Sequence, residues 1–585
     1  MLRAEMQKES IDVFFMQSGD PHNSEFVNAH YNSIRFVSGF TGENATLIVT
    51  MQDAFLWTDG RFFIQAEKEL AGSGIQLMRM GVDCVPTSIE FLEGLAGDEG
   101  YSLGFDGSST TASTGMMLDD KLMDLGVETV EDFDLVGRIW EDRPSIKAGE
   151  LFELPFEVTG MSAEEKLHRL RFAMEAADAD YLLISDLMEV AWLTNLRGSD
   201  IDYTPVFFGY ALIDRFAAKL FVMDGTASDE IKLSIQSAGF ELRGYDDILS
   251  EIEKLRENST IGYDPASTSY SLSMAIPEGC GLIEEETPVM LMKACKNDFE
   301  IASTKNAHVR DGLAVTKFLA WLKTGKYKED YPGVFTALDA AEYLRKCREE
   351  QDGFFDLSFE TISAYGPNGA IIHYMPTEES NLVIEGKGFL LVDSGGQYND
   401  GTTDITRTIA MGPLSDKESE YYTRVLKSHI AMASTVFDAG TPGKLIDELA
   451  RKPLRDFGLD FNHGLGHGIG HILSVHEGPN VLGRSGEQAY MHPGMIISDE
   501  PGVYIENEFG IRIENEVLVC EDVLKLRFEP ITFVPYDIDA IRKERLTDDE
   551  ISWINSYHEK VRETLLQGLT DEWVKSYLIE ASAAL

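Results

Sequence analysis

Residues Gly388–Ala410 read GFLLVDSGGQYNDGTTDITRTIA, and this stretch decides the fold of the part of the chain that carries chemistry. Two apolar runs flank the turn-like Asn399-Asp400-Gly401, the pattern of an antiparallel hairpin with a long connection. Asp393 ends the first strand, and Asp404 lies in the second, eleven residues on. Folding back brings the two carboxylates together. Two bare carboxylates stay ionised at short range only with a cation or a proton between them. For this segment alone, the competing reading is a pair of solvated turn aspartates.

Three segments further along decide between the two. Asn462–His476, NHGLGHGIGHILSVH, has glycines at 464, 466, 468 and 470 that make a helix costly. As an extended strand it puts His463, Leu465, His467 and Ile469 on one face and glycines on the other, where a second backbone can approach closely. The glycines do not fit GxGxxG and no Lys follows, so a phosphate loop is excluded. In Gly494–Tyr504, GMIISDEPGVY, Glu500 ends an apolar strand immediately before Pro501 and is held extended. In Gly510–Val519, GIRIENEVLV, alternation sends Arg512, Glu514 and Glu516 to one face, which by itself reads as a solvated face.

Asp393, Asp404, His467, Glu500 and Glu514 together make four carboxylates and one imidazole. That set is too oxygen-rich for structural zinc and too large for a single catalytic zinc. Its hardness favours manganese, cobalt or iron, and carboxylates able to bridge suit two ions about 3.5–4 Å apart. Such a pair lowers the pKa of a shared water toward about 7, so hydrolysis is the natural chemistry. Gly100–Gly104, GYSLG, matches GxSxG, but a Gly/Asp-rich loop precedes Ser102 where a nucleophile elbow needs a strand.

The rest of the chain sets the frame. Its 585 residues carry 100 acidic against 50 basic side chains, a net charge of −50, which argues against nucleic acid and anionic membrane as partners. The longest apolar runs, such as Val206–Ile213, fall far short of a membrane span. Five cysteines without a CxxC pair, and an N-terminal MLRAEMQKESIDVFF with charges where a secretory leader is apolar, give the expectation of a reduced, cytoplasmic protein. Strand candidates at Ile11–Met16, Ala45–Thr50 and Ala54–Thr58 recur in matching order at Asp180–Ser185, Gly209–Ile213 and Lys219–Met223, which predicts a duplicated α/β domain. A Pro/Gly-punctuated linker, Arg143–Gly160, separates the two copies. A helical pattern over Phe299–Leu322 then opens a third unit holding nine of the twelve histidines, and helical patterns at Asp548–Arg562 and Asp571–Ala584 close the chain.

With these residues in view, VDSGGQYNDGTTDITRT, HGLGHGIG, SDEPGVY and GIRIENE resemble the signature of the dinuclear pita-bread metallopeptidases. GAIIHYMP at Gly369–Pro376 and VHEGP at Val475–Pro479 are similar to the Xaa-Pro aminopeptidases within that group. MQSGDPHNSEF, FVSGFTGENA and LWTDGRFF are similar to their long, three-domain form. The resemblance implies an α/β (α+β) chain: two creatinase-like N-terminal domains, 1–145 and 146–297, then a pita-bread catalytic domain, 298–585, with a C-terminal extension from about residue 521. It implies two divalent ions, manganese first and cobalt, zinc or iron as alternatives, bridged by Asp404 and Glu514. Asp393 completes one site, and His467 and Glu500 the other. Glu500 doubles as the acid–base partner of a hydroxide bridging the ions. His373, His463 and His476 line the pocket, and Tyr504 and Arg512 relay protons and orient Glu514, while His471 departs from the family pattern and receives no role. The implied reaction removes the N-terminal residue from peptides with proline second, in a homodimer formed through the C-terminal region around Phe528–Tyr536. The rival readings are a prolidase, which cleaves only Xaa-Pro dipeptides with the same ligands, and a non-catalytic binding protein on the same fold.

Overall fold

One sheet is built twice in the first half of the chain. In the first copy the strands lie in the order Ile75–Arg79, Ala54–Thr58, Thr46–Thr50, Val13–Gln17, Ser102–Gly104, Glu128–Val130; in the second, Glu241–Gly244, Ala218–Val222, Gly209–Asp214, Tyr181–Ile184, Thr260–Tyr263, Gly281–Glu284. The central three strands of each pair antiparallel and the outer ones add in parallel, so order and direction agree strand for strand. The expected duplication is therefore present in the fold. Leu47, Leu56, Leu183, Ile184, Ala211 and Leu220 are fully buried, as in sheets covered on both faces. FVSGF at Phe36–Phe40 and WLTNL at Trp192–Leu196 hold the same place in the two copies: each ends a helix whose cap is left-handed, at Gly39 (φ 78°) and Asn195 (φ 58°). Ser102 opens a strand, so GYSLG is no nucleophile elbow.

The computed structural model describes residues 1–97, 100–131, 134–484 and 489–585 and divides into two units, Met1–Leu291 and Met292–Leu585. The second unit opens with the helix Asp298–Lys323, started by a capping box in which the Asn297 side chain accepts from the Glu300 amide and Glu300 reaches back. Three antiparallel strands follow, Ile362–Tyr365, Phe389–Ser394 and Ile405–Ala410, with Asp393 opposite Thr406. A six-stranded sheet runs Val436–Phe437, Lys525–Pro530, Asn515–Asp522, Ile496–Asp499, Gly466–Gly468, Glu477–Leu482. The helices Asp416–Ala433, Gly443–Arg455 and Asp548–Leu565 supply Val425, Leu426, Leu454 and Val561 to a core shared with Ile497 and Val517 of this sheet. Burying each such side chain contributes about 1.5–3 kcal/mol, which is what makes the sheet a rigid platform. Among the described residues no helix is long and apolar enough to cross a membrane.

Three sequence expectations need correction here. Asp404 precedes its strand instead of lying in it, because the long connection folds into a hairpin of its own, Gly396–Tyr398 against Gly401–Thr402. Gly510–Val519 is two strands, Phe509–Arg512 and Asn515–Asp522, in different sheets, and its charged residues are buried, not solvated. Of Asn462–His476 only Gly466–Gly468 is strand, and the register shifts between His467 and Gly468. The glycines act as expected: a Cβ on Gly466 would stand 1.9 Å from the Ser498 carbonyl oxygen, and one on Gly468 2.3 Å from that of Glu477.

Candidate metal centre

The edges of these sheets bring the sequence-predicted residues together within the second unit. Asp404, His467 and Glu514 each offer a ligand atom, all within 4.8 Å of one another. His467 Nε2 lies 3.6 Å from Asp404 Oδ2 and 3.4 Å from Glu500 Oε1. Asp393 joins through Arg512 and Thr406: Arg512 donates to Asp393 and to the Thr406 hydroxyl (3.3 Å), which donates to Glu514 Oε2 (2.7 Å). Asp393, Asp404 and Glu514 are buried, whereas the side chains of His467 and Glu500 keep 21% and 18% of their surface and form the accessible side of the cluster.

Backbone and hydroxyl groups aim these side chains. Ser498 Oγ accepts the His467 amide and donates to Glu500 Oε1, coupling the two on neighbouring strands. The His467 ring is held at Nδ1, 3.0 Å from the Gly468 carbonyl, which turns Nε2 toward the carboxylates. Arg512 is the main orienting cation: Nη2 and Nε donate to Asp393 Oδ2 at 2.6 and 3.0 Å, and Nη1 to the Tyr504 hydroxyl at 2.7 Å. Tyr504 in turn meets His463 Nε2 at 2.8 Å. The expected partnership of Arg512 with Glu514 is indirect, through Thr406, and Asp393 is its direct partner. Arg512 Nη2 also reaches the carbonyl of Ile372, beside His373. The His476 ring stands perpendicular to that of His467 with centroids 4.3 Å apart.

Burial and mutual repulsion dominate the electrostatics. Desolvation, then Glu514, Asp393, Glu500 and Glu516, push the Asp404 carboxyl well above the usual range. Desolvation with Asp393 and Glu500 does the same to Glu514. Glu500 is raised to about 7, by burial first, with Arg512 opposing and Asp393 adding. Burial, then Arg512, hold His463 well below the ordinary histidine value, and burial pushes Tyr504 up to about 12. The oxygens Asp393 Oδ1 and Asp404 Oδ1 are buried without a hydrogen-bond donor from the protein. Carboxylates gathered at this density, with buried oxygens that no protein donor satisfies, fit divalent cations.

The family models agree with this geometry. Residues 302–521 match metallopeptidase family M24 and 525–585 its C-terminal region, while 1–139 and 142–300 each match the creatinase/prolidase N-terminal domain. The chain is also 38% identical to Xaa-Pro aminopeptidase ApepP of Drosophila melanogaster over 99% of its own length and 96% of the relative's. The chain belongs to metallopeptidase family M24. Aminopeptidase P2 of Arabidopsis thaliana is 38% identical, with 96% of this chain and 85% of the relative covered. Among solved structures, the X-prolyl aminopeptidase of Caenorhabditis elegans, described as a cytosolic enzyme with a di-nuclear active site, superposes with a TM-score of 0.94 at 32% identity, covering 98% of this chain and 95% of that one. The Xaa-Pro dipeptidase of Bacillus anthracis is 26% identical with a TM-score of 0.52 and covers 64% of this chain.

Several residues of the centre escape local sequence reading. Glu516 accepts the Asp404 amide at 2.7 Å, and its other oxygen lies 2.9 Å from His308 Nε2. Lys293 and Lys296, from just before the first helix of the unit, both pair with buried Glu477, next to His476, and Lys296 also donates to the Ile469 carbonyl. Arg407, buried beside Thr406, donates to the Glu514 carbonyl at 2.6 Å. His471 is buried with Nδ1 3.0 Å from Thr304 Oγ1. Glu516 left a trace in the sequence by sharing a period with Arg512 and Glu514, and His471 stood out without a role; Lys293, Lys296 and Arg407 act across more than a hundred residues.

Proposed function

We propose that the chain is a metal-dependent aminopeptidase that hydrolyses the bond between an N-terminal residue and a following proline, releasing the N-terminal residue. The observation that carries this is the convergence of Asp393, Asp404, His467, Glu500 and Glu514 around buried, donor-free carboxylate oxygens, in a chain whose similarity to Xaa-Pro aminopeptidases runs from end to end. Asp393, Asp404, His467, Glu500 and Glu514 would hold two divalent cations. The hardness of four carboxylates favours manganese over zinc. Such cations supply a water of lowered pKa and electrostatic stabilisation of the oxyanion that forms on the attacked amide.

The chain's own groups do the rest. Glu500, on the accessible side and tied to Ser498, is placed to take a proton from the attacking water and return it to the leaving nitrogen. Returning that proton lets the nitrogen leave as the secondary amine of proline and not as an amide anion. Arg512 donates to both Asp393 and the Tyr504 hydroxyl, and Tyr504 meets the His463 ring at Nε2. His373, His463 and His476 border the same space and are placed to contact the substrate. The proposed division is 1–145, 146–297 and 298–585, with an extension from about residue 521; the family matches on either side of residues 140, 301 and 523 support it. A cytosolic setting and a homodimer belong to the same reading, and five free cysteines fit a reducing compartment.

A panel of Xaa-Pro-Yaa tripeptides and Xaa-Pro dipeptides tests it. The tripeptides are expected to lose their first residue, and Glu500→Ala to abolish this with the fold intact. Turnover of dipeptides alone would make the chain a prolidase instead, and near-normal activity of Glu500→Ala would remove the acid–base role.

A further inference from the structure

The ladder between Phe389–Ser394 and Ile405–Ala410 ends at the pair Ser394–Ile405, so the amide of Asp404 falls just outside it. The neighbouring Thr403 amide turns back to the Gly396 carbonyl. The Asp404 amide instead donates to a side chain, Glu516 Oε1, at 2.7 Å. A buried N–H must find an acceptor, and here the acceptor dictates how the peptide plane at 403–404 is turned, hence where the Asp404 carboxylate points.

Glu516 is itself held firmly. It sits in the Asn515–Asp522 strand opposite Ser498, its amide donates to Thr532 Oγ1 at 2.8 Å, and its carbonyl accepts from Ile531. Its second oxygen lies 2.9 Å from His308 Nε2, a close contact outside hydrogen-bond geometry, and Glu516 and His308 are 0% and 2% exposed. His308 comes from the helix Asp298–Lys323, one turn after Thr304, which closes on His471 and backs Gly401, where a Cβ would meet the Thr304 Cα at 2.9 Å. The helix therefore braces the connection that carries Asp404 at two successive turns. A buried carboxylate placed one layer behind another carboxylate adds repulsion, and apolar side chains would fill this position more cheaply. What it provides in return is a fixed orientation.

We propose that Glu516, backed by His308, is a positioning residue that orients Asp404 and thereby sets the affinity of the centre for divalent cations. The inference rests on the proposed function, since it presumes that Asp404 is a ligand. It assigns a role to a residue two positions from Glu514 that touches neither substrate nor cation.

The test uses the full-length chain, stripped of metal, in four forms: wild type, Glu516→Leu, Glu516→Gln and His308→Phe. Each is titrated with Mn2+ alone by calorimetry, and kcat and KM are measured on an Xaa-Pro-Yaa tripeptide at saturating Mn2+. Glu516→Leu removes the acceptor and is expected to weaken uptake of at least one equivalent about tenfold or more. Its loss at saturating metal should fall on kcat more than on KM. Glu516→Gln keeps a carbonyl for the Asp404 amide and should restore most of the affinity, a rescue that a charge requirement would forbid. His308→Phe should shift affinity in the same direction as Glu516→Leu by a smaller factor, and carries the test if the leucine variant does not fold. Wild-type affinity and kcat in folded Glu516→Leu would overturn the positioning role while leaving the function standing. If Glu516→Leu does not fold, unchanged affinity in His308→Phe would do the same. Wild-type chain that takes up no Mn2+ would overturn the function and this role with it.

Discussion

The side chain that organises the centre without being one of its five candidate ligands is Arg512. Its planar fork satisfies Asp393, Tyr504 and the Ile372 carbonyl at once, a geometry that a lysine ammonium cannot reproduce. Arg512→Lys is therefore expected to lower kcat/KM for an Xaa-Pro-Yaa peptide about 10–100-fold even at saturating metal. Steady-state kinetics that stay near wild type would refute this. A second residue-scale prediction concerns pH. His558 is buried and accepts the Tyr536 amide at Nε2, and burial followed by Arg407 and Arg562 lowers its pKa to about 4. Because the folded value lies below the unfolded one, the stabilisation is complete above pH ~6.5 and is lost as pH falls from there toward about 4. His558→Gln, which keeps an acceptor but cannot titrate, should flatten the unfolding free energy in that window by up to about 1.4 kcal/mol per pH unit. Equal slopes in denaturant titrations of the two proteins would contradict the assignment. The cluster of candidate ligands was legible in the sequence because charged residues interrupted apolar strands at fixed places. Glu516, Arg407 and the two lysines on Glu477 were not, because their partners lie across sheets and only three-dimensional packing joins them.

At the scale of elements, the centre depends on how closely strands approach. Gly466 and Gly468 let the His467 strand lie against Ser498 and Glu477 at distances where a Cβ would collide with carbonyl oxygens. Gly466→Ala should therefore push the Ile496–Asp499 strand outward, separate His467 from Glu500, and destabilise the chain by about 1–3 kcal/mol. Urea unfolding together with tripeptide turnover reads both effects; a variant with full stability and activity would show that the glycine face is not needed. Period and composition located the strands in or beside which the five candidate ligands lie, yet misjudged their ends. The hairpin at Gly396–Thr402 and the break at Ile513–Glu514 arise because two sheets meet there, and a one-dimensional pattern reads two strands joined in line as one.

At the scale of the molecule, the duplicated sheet in the first half was readable from strand order alone, although the two copies share little sequence. Buried strands need only an apolar run of the right length, so order outlasts identity. The charge of −50 is another matter. Four acids are proposed as metal ligands and Glu516 as their support, which leaves the acidic excess as a property of the surface. The central claim, that the five-residue cluster is a dinuclear hydrolytic centre for Xaa-Pro bonds, is tested most directly by adding Mn2+ stepwise to metal-stripped chain while measuring release of the first residue from an Xaa-Pro-Yaa tripeptide. The stripped chain is expected to release nothing, to recover with saturation at two bound equivalents, and not to recover in Glu500→Ala. Release that is independent of metal, or a chain that binds two equivalents and leaves the tripeptide intact, would contradict that claim.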